Sequence, residues 1–273
     1  MTPVLYRGRI APSPTGYLHL GHAKTFWKAF DRCREAQGTL IYRDEDIDLQ
    51  RCKQEYSQAA MADLEQLGIH WQEGPYYQSE RVDNYRSSMI KLIRSKSVYP
   101  CRYSRKTIEE HPDAKKTPTG EVIFPKSLRP RQSEMMDFFE ESLNWRFRVP
   151  NQEKVQFKDL NQGHQSFECD QEFGDFLVWR KDGMPAYELA VVVDDAAMKI
   201  SEVVRGADLL LSTARQILLY EALAETAPEF YHVNLVCDSE GHRLAKRNDS
   251  LALKTLFAEG HDFQSIAAMW NPS

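Results

Sequence analysis

Two histidines, His19 and His22, enclose Leu20 and Gly21 at the end of a turn rich in proline, serine and glycine. A strand-like stretch from Val4 to Ile10 precedes the turn, and a segment of helical character from Ala23 to Cys33 follows it. Strand, turn and helix start in that order put backbone N–H groups and two imidazoles at the positive end of a helix, where an anion is held well. Gly21 has no side chain, so a flat ring can lie directly against the backbone there. The chemistry this suits is nucleoside triphosphate binding, with His19 and His22 aimed at phosphate oxygens.

Four other segments carry groups of the same kind. Arg43-Asp44-Glu45-Asp46 ends a short strand, Leu40 to Arg43, and ligands collect at the carboxyl ends of strands in a doubly wound sheet. Pro185-Ala186-Tyr187 precedes Val192-Val193-Asp194-Asp195, and Val203-Val204-Arg205-Gly206-Ala207-Asp208 follows. Arg9 and Arg205 suit a carboxylate, because the planar guanidinium pairs with it bidentately. Arg243-Leu244-Ala245-Lys246-Arg247 lies after a further strand and turn.

The elements around these groups read as alternating strand and helix, which argues for a parallel sheet with crossover helices. Lys53 to Leu67 carries Tyr56, Ala60, Leu64 and Leu67 at helical spacing and stops at Gly68. A second amphipathic helix runs from about Asn84 to Ser97, with Tyr85, Met89, Leu92 and Ile93 on one face. The pattern resumes at Phe176 to Trp179, and Glu188 to Val193 reads as a buried parallel strand. Thr213 to Gln216 has capping-box spacing and opens a helix from Ile217 to Ala224. His232 to Cys237 reads as a last strand, Asp238 to Gly241 as a turn, and Asp262 to Trp270 as a helix. Four regions follow: a first catalytic half over 1–100, an inserted α+β subdomain over 101–165, a second catalytic half over 166–255, and the start of a helical appendage over 256–273.

The chain has 273 residues, 42% hydrophobic and 27% charged, as in ordinary globular proteins. No signal-peptide order opens it and no apolar run is long enough to span a bilayer, so a cytoplasmic protein with no membrane contact, and a monomer, is expected. Five scattered cysteines without a C-x-x-C pair suit reduced thiols. A net charge of −5 argues against indiscriminate nucleic-acid binding but leaves room for local basic surface. Candidates for phosphate contacts are Arg102/Arg105/Lys106, Lys115/Lys116, Lys126/Arg129/Arg131 and Arg180/Lys181.

Residues Arg9 to His22, R-I-A-P-S-P-T-G-Y-L-H-L-G-H, resemble the signature of the glutamate branch of class I aminoacyl-tRNA synthetases, with Ala11 to Gly16 as the lead-in typical of glutamate enzymes. The resemblance implies a Rossmann-type doubly wound sheet with an inserted subdomain. It implies ATP with its Mg2+ as co-substrate, held by His19, Gly21, His22, Arg243, Leu244 and Lys246. It places glutamate against Arg9, Ile10, Ala11, Pro12, Ser13, Glu45, Tyr187 and Arg205, with Glu45 on the α-amino group. His19, His22 and Lys246 are the implied catalytic residues; Lys246 falls on the second lysine of a K-M-S-K-S-like loop, with Ala245 in place of its serine. The substrate carboxylate attacks the α-phosphate in line, so the protein contributes positioning and electrostatic stabilisation rather than a nucleophile.

The chain is similar to the short, glutamyl-queuosine branch of that family, in which no helical anticodon-binding domains follow the second signature. Two details point the same way: the segment Arg205-Gly206-Ala207-Asp208-Leu209-Leu210 with Ser212 to Gln216, and Val191 where full-length glutamate enzymes usually carry asparagine. The implied function is tRNA-independent activation of glutamate, then transfer to queuosine in the anticodon of tRNA(Asp). The alternatives are a catalytic portion charging tRNA(Glu) and a non-catalytic binding module. Many members hold zinc in the insertion, but here Cys101-Arg102-Tyr103 keeps one ligand of the four a structural site needs, and no zinc is expected. Tyr103, Phe124, Leu128, Phe138, Phe139 and Trp145 are then left to form a small apolar core in the insertion.

Overall fold

The computed structural model describes residues 5–117, 120–131, 136–236 and 252–270. In chain order its strands and helices are β1 (Arg7–Ile10), α1 (Leu20–Glu35), β2 (Thr39–Asp44), α2 (Gln54–Gln66), β3 (Glu73–Tyr77), α3 (Val82–Arg94) and β4 (Val98–Cys101). Then come α4 (Arg105–Glu109), β5 (Lys115–Lys116), β6 (Val122–Ile123), β7 (Asn144–Phe147), β8 (Lys154–Asp159), β9 (Gly163–Glu168) and β10 (Leu177–Trp179). The last are α5 (Tyr187–Ala197), β11 (Glu202–Gly206), α6 (Leu210–Leu223), β12 (Glu229–Val233), α7 (Leu253–Ala258) and α8 (Phe263–Trp270).

β1, β2 and β3 pair in parallel, as do β11, β12 and β8, while β9 closes the edge antiparallel to β8. The two sets meet where β11 lies beside β1. The Ser201 N–H donates to Arg7 O at 2.9 Å, and Arg9 Nη1 donates to Val204 O at 3.0 Å, so the strands run the same way. The order is therefore β3-β2-β1-β11-β12-β8, all parallel, with the order of strand addition reversing between β1 and β11. In open α/β sheets ligands bind at such a reversal, outside the carboxyl ends of the strands.

Both faces of the sheet are covered. Leu40, Tyr42 and Val204 pack with α1 and α2, and α7 and α8 close that layer. Their neighbours Ile41 and Val203 point the other way, into a core built by α3, α5 and α6. This is the alternation a strand imposes when both sides are buried.

The apolar run Glu188 to Val193 is helix rather than strand. Every residue of α5 from Glu188 to Asp195 is buried, so no polar stripe marks its period, and periodicity alone does not separate such a helix from a buried strand. β10 does form, but it pairs antiparallel with β7, which in turn pairs with β4, away from the parallel sheet. α6 begins three residues ahead of Thr213, whose hydroxyl bonds inside the helix to Leu209 O at 3.2 Å instead of capping it. The last strand expected over His232 to Cys237 begins earlier, at Glu229. The small apolar core is also composed differently. Phe124 packs with Tyr99, Cys101 and Ile108, whereas Phe139 and Trp145 join the main core, and Tyr103 and Phe138 are exposed. No helix among the described residues is long and apolar enough to cross a membrane.

Candidate active site

A cavity of about 870 Å³ opens at the strand-order reversal. Arg9, Ala11, Pro12, Ser13, Glu45, Tyr187 and Arg205 line it, together with His19, Gly21 and His22. Ile10 lies beneath it, fully buried in the core against α1 and α2. Arg243, Leu244 and Lys246 lie outside the described residues.

The histidine end is a helix cap built from two imidazoles. His19 is the N-cap of α1, with extended backbone, and its Nδ1 accepts the Gly21 N–H at 3.1 Å. The Nδ1 of His22 accepts the His19 N–H at 3.3 Å, and the two rings stack with centroids 3.8 Å apart. A ring that accepts at Nδ1 carries its proton, when neutral, at Nε2. Both residues thus combine a helix N-terminus with a ring donor on one wall of the cavity, which favours polyphosphate. A Cβ at Gly21 would stand 3.1 Å from Cε1 of His19, so glycine there both leaves the backbone open and spares the ring.

The arginine end is a buried charge array. Arg43 is wholly buried, with Nη1 2.6 Å from Asp195 Oδ1 and Nη2 3.0 Å from Glu45 Oε1. Arg9 Nε lies 3.6 Å from the same Asp195 oxygen, so one carboxylate serves two guanidinium groups. Asp194, wholly buried, accepts hydrogen bonds from Gln78, Arg81 and Tyr85 and lies 3.9 Å from Arg43 Nε. Burial lifts the Glu45 carboxyl above the ordinary carboxylate range, against the pull of Arg43 and Arg9. Burial likewise pushes the Tyr187 hydroxyl up to about 12, with Arg205 opposing, so it is a neutral donor at physiological pH. Arg205, on β11, donates from Nη2 to the Thr213 hydroxyl at 2.7 Å, and its Nη1 is buried without a protein hydrogen-bond partner. A buried donor of that kind is costly unless a ligand meets it.

The arrangement offers two guanidinium groups and a tyrosine hydroxyl to anionic groups, a carboxylate to an ammonium group, and a histidine-lined helix N-terminus to phosphate. The family model described as tRNA synthetases class I (E and Q), catalytic domain, matches residues 6–270. The chain belongs to that family. It is 41% identical to a glutamyl-Q tRNA(Asp) synthetase of Symbiobacterium thermophilum, over 95% of this chain and 83% of the relative. It is 38% identical to a glutamate–tRNA ligase of Sulfurihydrogenibium, over 95% of this chain and 56% of that ligase, so it spans about half the length of such relatives. A crystal structure of a glutamate tRNA ligase from Elizabethkingia meningosepticum, in complex with its amino acid, superimposes with a TM-score of 0.74 at 29% identity, covering 89% of this chain and 52% of that one. The class I fold expected from the sequence is the fold observed.

Some groups around the cavity are not singled out by the sequence reading. Arg43 and Asp195 were visible inside the quoted segments, but nothing local shows that they meet across 152 residues. His232, Thr213 and Asp159 support Arg205 from β12, α6 and β8; His232 and Asp159 carry no motif, and Thr213 reads only as a cap and as part of the Ser212 to Gln216 segment. Tyr17 and Tyr56 meet edge to face at the cavity wall, with Lys254 over the Tyr17 ring. Among the basic candidates for phosphate contacts, Arg129 is instead a buried partner of Asp175, at 2.5 Å. Lys126 pairs with Asp170, Arg105 with Glu109 and Arg180 with Asp182. No group of three or more metal-ligating side chains occurs among the described residues, and Cys101 is packed among Tyr99, Ile108 and Phe124.

Proposed function

We propose that this chain activates glutamate with ATP in the absence of tRNA and transfers it to queuosine in the anticodon of tRNA(Asp). The observation that carries the glutamate assignment is the Nη1 of Arg205, buried without a protein partner in the cavity that also holds Arg9, Tyr187 and Glu45. A dicarboxylate with one ammonium group complements that set. The α-carboxylate of glutamate attacks the α-phosphorus of ATP, an acyl phosphate bond forms, and pyrophosphate leaves with its Mg2+. His19, His22 and the amide groups at the start of α1 hold phosphate oxygens as charge spreads over them. Lys246 is assigned to the departing pyrophosphate. A hydroxyl of the queuosine diol then attacks the acyl carbon, and AMP leaves.

The choice of acceptor is supported by the resemblance to glutamyl-Q enzymes in Arg205 to Gln216, and by Val191. Val191 sits one turn beyond Tyr187 on α5, is wholly buried, and brings no hydrogen-bonding group. The test is transfer of labelled glutamate to queuosine-containing tRNA(Asp), with unmodified tRNA(Asp) and tRNA(Glu) beside it, followed by nuclease mapping. Label in the anticodon of the modified tRNA is expected. Label on a 3′ terminal adenosine, or equal charging without queuosine, would place the chain with the glutamate–tRNA ligases.

A further inference from the structure

Arg205 is held unlike the other buried arginines. Arg43 rests against Asp195 and Glu45, and Arg129 against Asp175, all carboxylates. Arg205 pairs with no carboxylate among the described residues. Its Nε donates to Nε2 of His232 at 3.2 Å, its Nη2 donates to Thr213, and the Phe230 ring lies 5.7 Å from its guanidinium carbon. Since Nε2 of His232 accepts, the single proton of the neutral ring sits on Nδ1, which stands 2.6 Å from Asp159 Oδ2.

Asp159 is in turn fixed from the backbone. Its Oδ1 accepts the N–H groups of Asn161 at 2.9 Å and Gln162 at 2.7 Å, and the His232 N–H lies 3.2 Å from both oxygens. Burial opposes its charge, but the His232 ring, together with these backbone donors, outweighs burial and holds the carboxyl below its ordinary range. Burial, and then Arg205, drive His232 the other way, down to about 4, so the ring is neutral at physiological pH.

We infer that His232 is a positioning residue for Arg205, held by Asp159 in the tautomer that offers an acceptor carrying no negative charge. A carboxylate in its place would align the guanidinium equally well but would neutralise it before substrate arrived. The neutral ring leaves the full charge for the incoming carboxylate, a stronger partner than an already paired guanidinium. The inference rests on the proposed role of Arg205 in gripping glutamate.

Two near-isosteric changes separate this role from simple packing. In Asp159→Asn the amide oxygen satisfies the Asn161 and Gln162 N–H groups, so its NH2 faces Nδ1. The ring must then carry its proton on Nε2, where it opposes the Arg205 Nε donor and has only the Thr213 hydroxyl oxygen, 3.0 Å away, to turn to. The logic matches the wrong-tautomer defect that follows when the aspartate of a serine-protease triad becomes asparagine. His232→Gln returns a carbonyl oxygen near the place of Nε2, whereas His232→Leu returns nothing.

The experiment is glutamate-dependent ATP–pyrophosphate exchange with KM measured for glutamate and for ATP, beside histidine side-chain ¹⁵N NMR. The wild-type His232 is expected as the Nδ1–H tautomer and that of Asp159→Asn as Nε2–H. KM for glutamate should rise about tenfold to a hundredfold in Asp159→Asn and His232→Leu, as for a lost hydrogen bond to a charged group. KM for ATP should hold, and His232→Gln should recover most of the loss. If the leucine variant does not fold, the asparagine and glutamine variants decide. An Nε2–H tautomer in the wild type would overturn the inference, and so would an unchanged glutamate KM in Asp159→Asn or a parallel rise in both KM values. A wild-type protein without glutamate-dependent exchange would refute the proposed function itself, and the role of Arg205 with it.

Discussion

Replacing Gly21 by alanine should separate activity from stability. The added Cβ would stand 3.1 Å from Cε1 and 3.3 Å from Nδ1 of His19, inside ordinary van der Waals contact, so the ring must give by a few tenths of an ångström. Its Nδ1 already stands 3.1 Å from the Gly21 nitrogen, and that retreat carries the bond to the limit of useful length. Behind the ring stands His22, stacked at 3.8 Å, so the disturbance reaches both imidazoles. The fold should barely notice. Alanine gains about 1 kcal/mol over glycine in a helix, and a weakened cap costs about the same. The net change should stay within about 1 kcal/mol, or a melting shift of at most about 4 °C. The chemistry should suffer far more, because a preorganised donor moved off its target typically costs about 10²-fold in rate. Pyrophosphate exchange with glutamate should therefore fall about as far as in His19→Ala. Wild-type exchange by Gly21→Ala would show that neither the His19 ring nor the open backbone seats the nucleotide.

Three further outcomes are expected. Arg9→Ala should cost about 2–5 kcal/mol of glutamate binding by calorimetry with ATP affinity retained, as when one partner of a desolvated charge pair is removed; normal glutamate binding would move the carboxylate grip elsewhere. Asp63, buried on α2 with Oδ2 unpartnered, has its carboxyl raised by burial to about 6 from 3.8, so its ionisation opposes folding as pH rises through that interval. Asp63→Asn should consequently stabilise by on the order of 2 kcal/mol at pH 8, by about half of that at pH 5 and by much less at pH 4 in urea melts, and a gain equal at pH 8 and pH 4 would discount the carboxyl. Elemental analysis of untagged protein should give no stoichiometric zinc, and a zinc signal lost in Cys101→Ser would reverse that expectation.

The first half of the sheet was readable because its signals are local. His19 to Gly21 sits at a strand-to-helix turn, α2 stops at Gly68, and Tyr85, Met89, Leu92 and Ile93 share the buried face of α3. The second half was less so. α5 lacks a polar face because it is enclosed by α3, α6 and β10, so tertiary burial erased the period on which reading depends. Thr213 has the residue type of a cap and the following glutamine of a capping box, yet its hydroxyl is committed to Arg205. Arg129 looks like surface charge, and its burial depends on Asp175, 46 residues away. Of the site residues that the structure describes, the sequence picked out Arg9, His19, Gly21, His22, Glu45, Tyr187 and Arg205, which share the cavity, but not that Asp195 bridges Arg9 and Arg43, or that a neutral histidine stands behind Arg205. Those facts belong to the meeting of distant segments.

The junction of β1 with β11 sets the order of events during synthesis. Arg7 meets Ser201 across 194 residues, and Arg9 meets Val204 across 195. At about 5–20 residues per second, the neighbour of β1 leaves the ribosome about 10–40 s after it. β1, α1, β2, α2 and β3 can assemble sooner, since their contacts lie close in the chain, but the half-sheet so formed ends in an unpaired β1 edge. Such an edge is a template for pairing with another nascent chain until β11 arrives. The wall that carries Arg205 is missing for the same interval, so the nascent chain has its histidine cap long before it has a cavity for glutamate. Slower translation should thus prolong the aggregation-prone stage without granting early activity, and changes that weaken β11 against β1 should be felt first as lost yield.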